Sequence, residues 1–119
     1  MNILVVDDSR TMRDLVSREL RGGGYDVETA EDGVDALEKI KGFSPAVIIT
    51  DLNMPRMNGL ELTQALRTRD ETKFVPIIFL TTESGDELRR AAREAGATGW
   101  IVKPFDGSKL LAAVRRVSA

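Results

Sequence analysis

Asp7 and Asp8, Asp51, Thr81 and Lys103 each stand where an apolar stretch runs out: ILVV, AVIIT, PIIFL and WIV, respectively. In an open α/β sheet, ligands bind outside the carboxyl ends of parallel strands, so this placement brings acid, acid, hydroxyl and amine from separate segments to one rim. Three ionised aspartates and one lysine sum to about −2, and carboxylates that close raise one another's pKa unless a cation intervenes. A divalent ion brings the sum to zero, and a phosphoryl group suits the amine and the hydroxyl. Mg²⁺ fits better than Ca²⁺ because the chain offers few protein ligands, leaving positions for water and a phosphate oxygen. Asp51-Leu52-Asn53 starts like a calcium loop, but Pro55 and Arg56 occupy the next ligand and glycine positions.

Zero Cys removes disulfides, thiolate catalysis and thiolate metal sites, and zero His removes imidazole bases, His ligands and Zn²⁺ chemistry. The remaining chemistry belongs to oxygen ligands and an amine. At 119 residues with 42% apolar content the chain fits one domain, 1–119, with a real core. Lys plus Arg number 17 against 19 Asp plus Glu, so the net charge of −2 favours no nucleic-acid partner. No apolar run approaches the roughly 20 residues of a bilayer span, and the chain opens on a strand rather than a signal peptide. A cytoplasmic, monomeric protein with no membrane partner is expected. The Met1 start and the close finish after the last helix lead to the expectation of a stand-alone domain.

The elements that must position these residues alternate strand and helix five times. Asn2 to Val6 is a continuous apolar run, as for a strand buried on both faces. Met12, Leu15, Val16 and Leu20 fall at helical spacing, and Gly22, Gly23 and Gly24 stop that helix; a phosphate-cradling glycine loop would instead follow a strand. Tyr25 to Ala30 predicts a second strand. Val34, Leu37 and Ile40 mark a helix with an acidic start at Glu31 and Asp32, broken by Pro45. Ala46 to Thr50 is the most apolar strand, followed by a loop and a helix from about Gly59 to Arg67. Val75 to Leu80 predicts strand four, with Pro76 near its start. A helix with Leu88, Ala91, Ala92 and Ala95 ends at Gly96, Trp100 to Val102 forms a short fifth strand, and Leu110, Leu111, Val114 and Val117 share one side of a last helix.

Such alternation predicts a parallel sheet with five helices on two faces. Strands one, three, four and five supply reactive groups and strand two none, which puts strand two outside and gives the order 2-1-3-4-5. That is the known order of flavodoxin-like doubly wound folds, so it is carried over from that class as much as argued from the site.

Four motifs, VVDDSRTMR at 5–13, DLNMPRMNG at 51–59, FLTTES at 79–84 and GWIVKPF at 99–105, make the whole chain resemble the receiver domain of two-component response regulators, and most closely the single-domain chemotaxis regulators. The resemblance implies that Asp51 accepts phosphate from a phosphohistidine on a histidine kinase. Asp8, Asp51 and the Asn53 carbonyl would hold Mg²⁺, with Asp7 acting mainly through water, and Lys103 and Thr81 would contact phosphoryl oxygens. Self-phosphorylation and autodephosphorylation would be its only chemistry, so it is not expected to be an enzyme otherwise.

The resemblance further implies a switch in which Thr81 moves toward the phosphoryl group and the strand-five aromatic, here Trp100 rather than the usual Tyr or Phe, rotates into the vacated space. One charge-assisted hydrogen bond contributes about 1.5–3 kcal/mol, whereas reversing a 1:99 population requires about 5.5 kcal/mol, so Lys103 and a backbone N–H at Thr82 are expected to share the task. Asn53, Thr82 and Glu83 match positions that tune phosphate lifetime. The output face would be helix four, strand five and helix five, with Arg89, Arg90, Arg93, Trp100, Lys109 and Arg115, binding a flagellar motor switch protein or another target. A phosphate sink or relay intermediate is the alternative within the family. A haloacid dehalogenase-type phosphatase is a remote one, because Asn53 stands where that chemistry needs a second Asp.

Overall fold

The computed structural model describes residues 1–118. Five strands, β1 (Asn2–Val6), β2 (Asp26–Ala30), β3 (Val47–Thr50), β4 (Ile77–Thr81) and β5 (Gly99–Val102), alternate with α1 (Arg10–Gly22), α2 (Gly33–Lys39), α3 (Gly59–Arg67), α4 (Asp86–Ala95) and α5 (Gly107–Ser118). All four strand pairings are parallel, and the order is β2-β1-β3-β4-β5, as the sequence predicts.

The two-residue period of a strand divides each apolar run between two cores. Leu4, Val6, Ile48, Ile77 and Phe79 face the side covered by α2, α3 and Ala92 of α4. Ile3, Val5, Val47, Ile49, Ile78 and Leu80 face the other, against Val16 and Leu20 of α1 and Leu110 and Val114 of α5. Burying each such side chain stabilises the fold by roughly 1.5–3 kcal/mol. This two-sided burial fixes where β1, β3 and β4 end, and their ends carry the chemistry.

Several element bounds differ from the sequence reading. β4 begins at Ile77 because Pro76 has no N–H to donate, although its carbonyl still accepts from Ile48 N at 2.9 Å; Thr81 is the last residue of that strand. β2 begins at Asp26, because Tyr25 N bonds back to Leu20 O and belongs to the end of α1. Gly22 is helical, and α1 stops through Gly23 and the left-handed Gly24. α2 ends at Lys39, well before Pro45, where Ile40, Lys41 and Gly42 turn back onto its last carbonyls. Leu15 has helical spacing but is exposed: it lines an apolar groove of about 660 Å³ with Met12, Thr82, Lys103, Pro104 and Phe105.

Candidate functional site

The ends of β1 and β3 lie side by side, with Val6 paired to Thr50, so the residues that follow are brought together. The carboxylate oxygens offered by Asp7, Asp8 and Asp51 lie within 4.8 Å of one another. Asp7 is buried and Asp8 exposed, so the cluster is closed on one side and open to solvent on the other. Lys103 reaches in from the end of β5 and donates to Asp7 Oδ2 at 2.9 Å and Asp51 Oδ2 at 3.2 Å. Side-chain exposures of 6% for Asp7, 12% for Asp51 and 11% for Lys103 leave these charges little screening by water.

Asp7 and Asp51 are also fixed from behind. Ser9 N donates to Asp7 Oδ1 at 2.9 Å, and Arg13 donates to the Asp7 carbonyl at 2.8 Å. The other Asp51 oxygen accepts from Leu52 N at 2.7 Å. Gly59 N bonds Leu52 O at 2.8 Å, folding the β3–α3 loop back on itself; any Cβ at Gly59 would collide with the Asp51 carbonyl and the Phe79 ring. α3 then starts with a capping box between Asn58 and Glu61.

Burial pushes the Asp7 carboxyl above its ordinary pKa, aided by the charge of Asp51 and opposed by Lys103 and Ser9 N. Burial pulls the Lys103 ammonium the other way, but its bond to Asp7 and the charges of Asp7 and Asp51 outweigh this and raise it. The two shifts have different causes: burial disfavours the charged form of Asp7, whereas the neighbouring carboxylates favour the charged form of Lys103.

The residues fit a magnesium ion. All the donors are hard oxygens, and an octahedral ion with bonds of about 2.0–2.1 Å sets neighbouring and opposite ligand oxygens roughly 3 and 4.2 Å apart, close to the spacing of the cluster. Such an ion would be held by Asp7, Asp8 and Asp51.

Thr81 is fully buried, and its hydroxyl accepts from Glu83 N at 3.4 Å; its carbonyl accepts from Lys103 N at 2.8 Å, tying β4 to the lysine. The Lys103–Pro104 bond is cis. Asn53 Nδ2 donates to Glu83 Oε1 at 3.2 Å, so two positions assigned to phosphate lifetime touch one another, while Thr82 is exposed beside Lys103. Trp100 lies inward: its Nε1 donates to the Glu83 carbonyl at 3.0 Å, and its ring stacks on Phe79 with centroids 5.4 Å apart. Residue 83 thus joins the acidic rim to the strand-five aromatic.

The residues assigned to a partner face gather around that aromatic. Arg89, Arg93 and Trp100 line a cleft of about 180 Å³. Arg90 lies beside those two arginines, and Lys109 shares a neighbouring groove with Trp100. Arg116, not Arg115, lines that groove, since successive helical residues point about 100° apart.

The profile of the response regulator receiver domain matches residues 3–115. This chain belongs to that family. Among curated relatives, chemotaxis protein CheY1 of Helicobacter pylori is 48% identical over 88% of this receiver domain and 86% of that protein. Response regulator MprA of Mycobacterium avium is 42% identical over 97% of this domain but only 50% of that protein. A solved structure of Vibrio cholerae chemotaxis protein CheY4 superposes with a TM-score of 0.94 at 46% identity, covering 98% and 97% of the two chains. The chain is therefore a CheY-like receiver domain of a two-component system. Among the described residues, no helix is long and apolar enough to cross a membrane.

Sequence reasoning missed three supports of the site. Arg13 and Phe79 lie in two of the four motifs, but neither is given a role there. Asp32 read as a helix start and Arg56 as a spoiled calcium loop, yet Arg56 Nε and its terminal nitrogen donate to Asp32 Oδ2 and Oδ1 at 2.7 and 3.1 Å. The only sequence signal for this pair is the capping spacing of Asp32 and Asp35, which does not reveal the arginine.

Proposed function

We propose that this receiver domain is a phosphorylation-activated switch of chemotaxis, accepting a phosphoryl group on Asp51 from a histidine kinase and presenting the α4–β5–α5 face to a flagellar motor switch protein. The observation that carries the acceptor assignment is Asp51 between an acidic cluster and Lys103, with one oxygen on Leu52 N and the other 3.2 Å from the ammonium.

An ionised carboxylate attacks phosphorus directly, so no general base is needed, which suits a chain without His. The new bond joins an Asp51 oxygen to phosphorus. The phosphorus–nitrogen bond of the phosphohistidine breaks, and its electron pair leaves with the imidazole, which takes a proton from solvent. A magnesium ion, when bound, supplies the positive charge that offsets the carboxylates and the phosphoryl oxygens. Lys103 exchanges its hold on Asp51 for a phosphoryl oxygen, and the Thr81 hydroxyl gives up Glu83 N to do the same. That movement reaches Trp100 through the Glu83 carbonyl. Asn53 and Glu83, already in contact, orient the water that later hydrolyses the acyl phosphate. The domain thus processes only its own phosphoryl group and is not otherwise an enzyme.

The chemotaxis reading is supported by likeness to CheY1 and CheY4 and by the arginines around Trp100, which suit an acidic partner segment. A phosphate sink or relay intermediate is the alternative within the family. Titrating a motor switch peptide against the domain with and without Mg²⁺ and beryllofluoride separates them. Tighter binding with the analogue is expected; equal affinities would refute the motor switch.

A further inference from the structure

We propose that the Asp32–Arg56 ion pair is a positioning device for the β3–α3 loop, holding the Asn53 carbonyl where it completes the cation site. The inference rests on the phosphoryl-site reading and concerns how that site is kept in shape.

Asp32 does more than cap α2. The cap needs one oxygen, and Oδ1 supplies it by accepting from Asp35 N at 2.8 Å. Oδ2 faces Arg56 Nε at 2.7 Å, and the second arm of the guanidinium returns to Oδ1 at 3.1 Å, giving the bidentate geometry that fixes orientation as well as distance. The Asp32 side chain is 3% exposed while the Arg56 side chain is 54% exposed, so the guanidinium covers a buried carboxylate from the solvent side.

The arginine pays for its place in backbone conformation. Arg56 has φ of 63°, the left-handed region that favours glycine, and Met57 N bonds Pro55 O at 2.7 Å across it, the i to i+2 pattern of a γ-turn. Backbone strain of this kind persists where the surroundings over-determine it, and it concentrates at functional sites. Here the surroundings are the N-terminus of α2. Besides the fork, Gly33 N donates to the Met57 carbonyl at 3.1 Å, and the Met57 side chain packs so closely on Gly33 that a Cβ there would strike it.

Between the anchor at Leu52 O and the anchor at Arg56–Met57 only the arc 53–55 remains. It carries the Asn53 carbonyl, and the Asn53 side chain is held by a single bond to Glu83. The clasp therefore fixes the far end of the segment whose Asn53 carbonyl would serve as a neutral oxygen ligand beside the acidic cluster, as second-layer partners of a metal ligand do.

Calorimetric titration of the whole protein with MgCl2 tests this, comparing Arg56→Gly and Asp32→Asn with the parent chain. Arg56→Gly deletes the fork while relieving the left-handed backbone, and Asp32→Asn keeps a cap oxygen but loses the charge; thermal melts establish that each is folded. Both are expected to weaken Mg²⁺ binding roughly tenfold, the lower end for loss of such a partner. Labelling by a small acyl-phosphate donor should shift in the Mg²⁺ concentration giving half-maximal rate, not in the plateau. Folded variants binding Mg²⁺ within about twofold of the parent would overturn the clasp alone. A parent chain that takes up no Mg²⁺ would overturn the metal-site reading and the clasp with it.

Discussion

Helices α1, α2 and α3 begin with side-chain caps from Ser9, Asp32 and Asn58, whereas α4 begins at Gly85 with none. β1 and β3 are buried along almost their whole length, while β5 is half-buried and ends exposed. α4 fully buries Ala92 alone, and its other faces carry arginines and acids. The half of the molecule around Asp51 is thus over-determined, and the half around Trp100 is lightly held. Precise chemistry needs groups locked by neighbours, whereas elements that move are drawn from regions of few buried contacts. The two halves meet at Glu83, which bonds Asn53 and Trp100, and at Lys103.

The largest effect is expected at Lys103. In Lys103→Arg the charge remains, so phosphoryl labelling of Asp51 should persist, but the planar fork cannot replace a compact ammonium between two carboxylates. The Trp100 fluorescence change that accompanies labelling should vanish, as read by emission after adding Mg²⁺ and an acyl-phosphate donor. An intact change would mean the lightly held half responds without the lysine. Next, Trp100→Phe keeps an aromatic on Phe79 but loses the bond to the Glu83 carbonyl, a net contribution of about 0.5–1.5 kcal/mol. Amide exchange should accelerate roughly two- to tenfold across α4 and β5. Equal acceleration in β1 and β3 would erase the distinction between the halves.

Two aspartates on the rigid side should respond to pH with opposite sign. Arg56 and Asp35 N, working against burial, hold Asp32 below the ordinary value of 3.8, so its stabilising charge is fully present above that pH and is lost as pH falls through the lower folded value. Melts of Asp32→Asn should lose less stability on acidification than the parent. Asp7 is raised above 3.8 by burial, so its favourable contribution is present below that value and is lost as pH rises through the folded one. In metal-free melts, Asp7→Asn should flatten that rise-side loss. The smallest effect is expected from Gly85→Asp, which supplies the missing cap of α4 where an added side chain meets open space. It should stabilise by a few tenths of a kcal/mol, about 1–2 °C in a thermal melt.

Much of the rigid half was legible in the sequence because its signals are periodic or positional. Uninterrupted apolar runs mark the strands, and parallel strands must end on one rim, which gathers Asp7, Asp8, Asp51 and Lys103. The start of β4 slipped because Pro76 takes part through its carbonyl alone. Leu15 lies in α1 as its spacing predicts, but spacing does not say whether a neighbour covers it. The Asp32–Arg56 fork joins residues on different loops that share no period, and the inward stacking of Trp100 on Phe79 depends on the packing of two strands, so neither could be read from spacing.

The central claim is that Asp51 is the phosphoryl acceptor of this pocket. Intact-mass measurement after incubation with Mg²⁺ and a small acyl-phosphate donor tests it most directly. The parent chain should gain one phosphoryl group that hydroxylamine removes, and Asp51→Asn should gain none. Labelling that survives in Asp51→Asn, or its absence in the parent, would contradict the account.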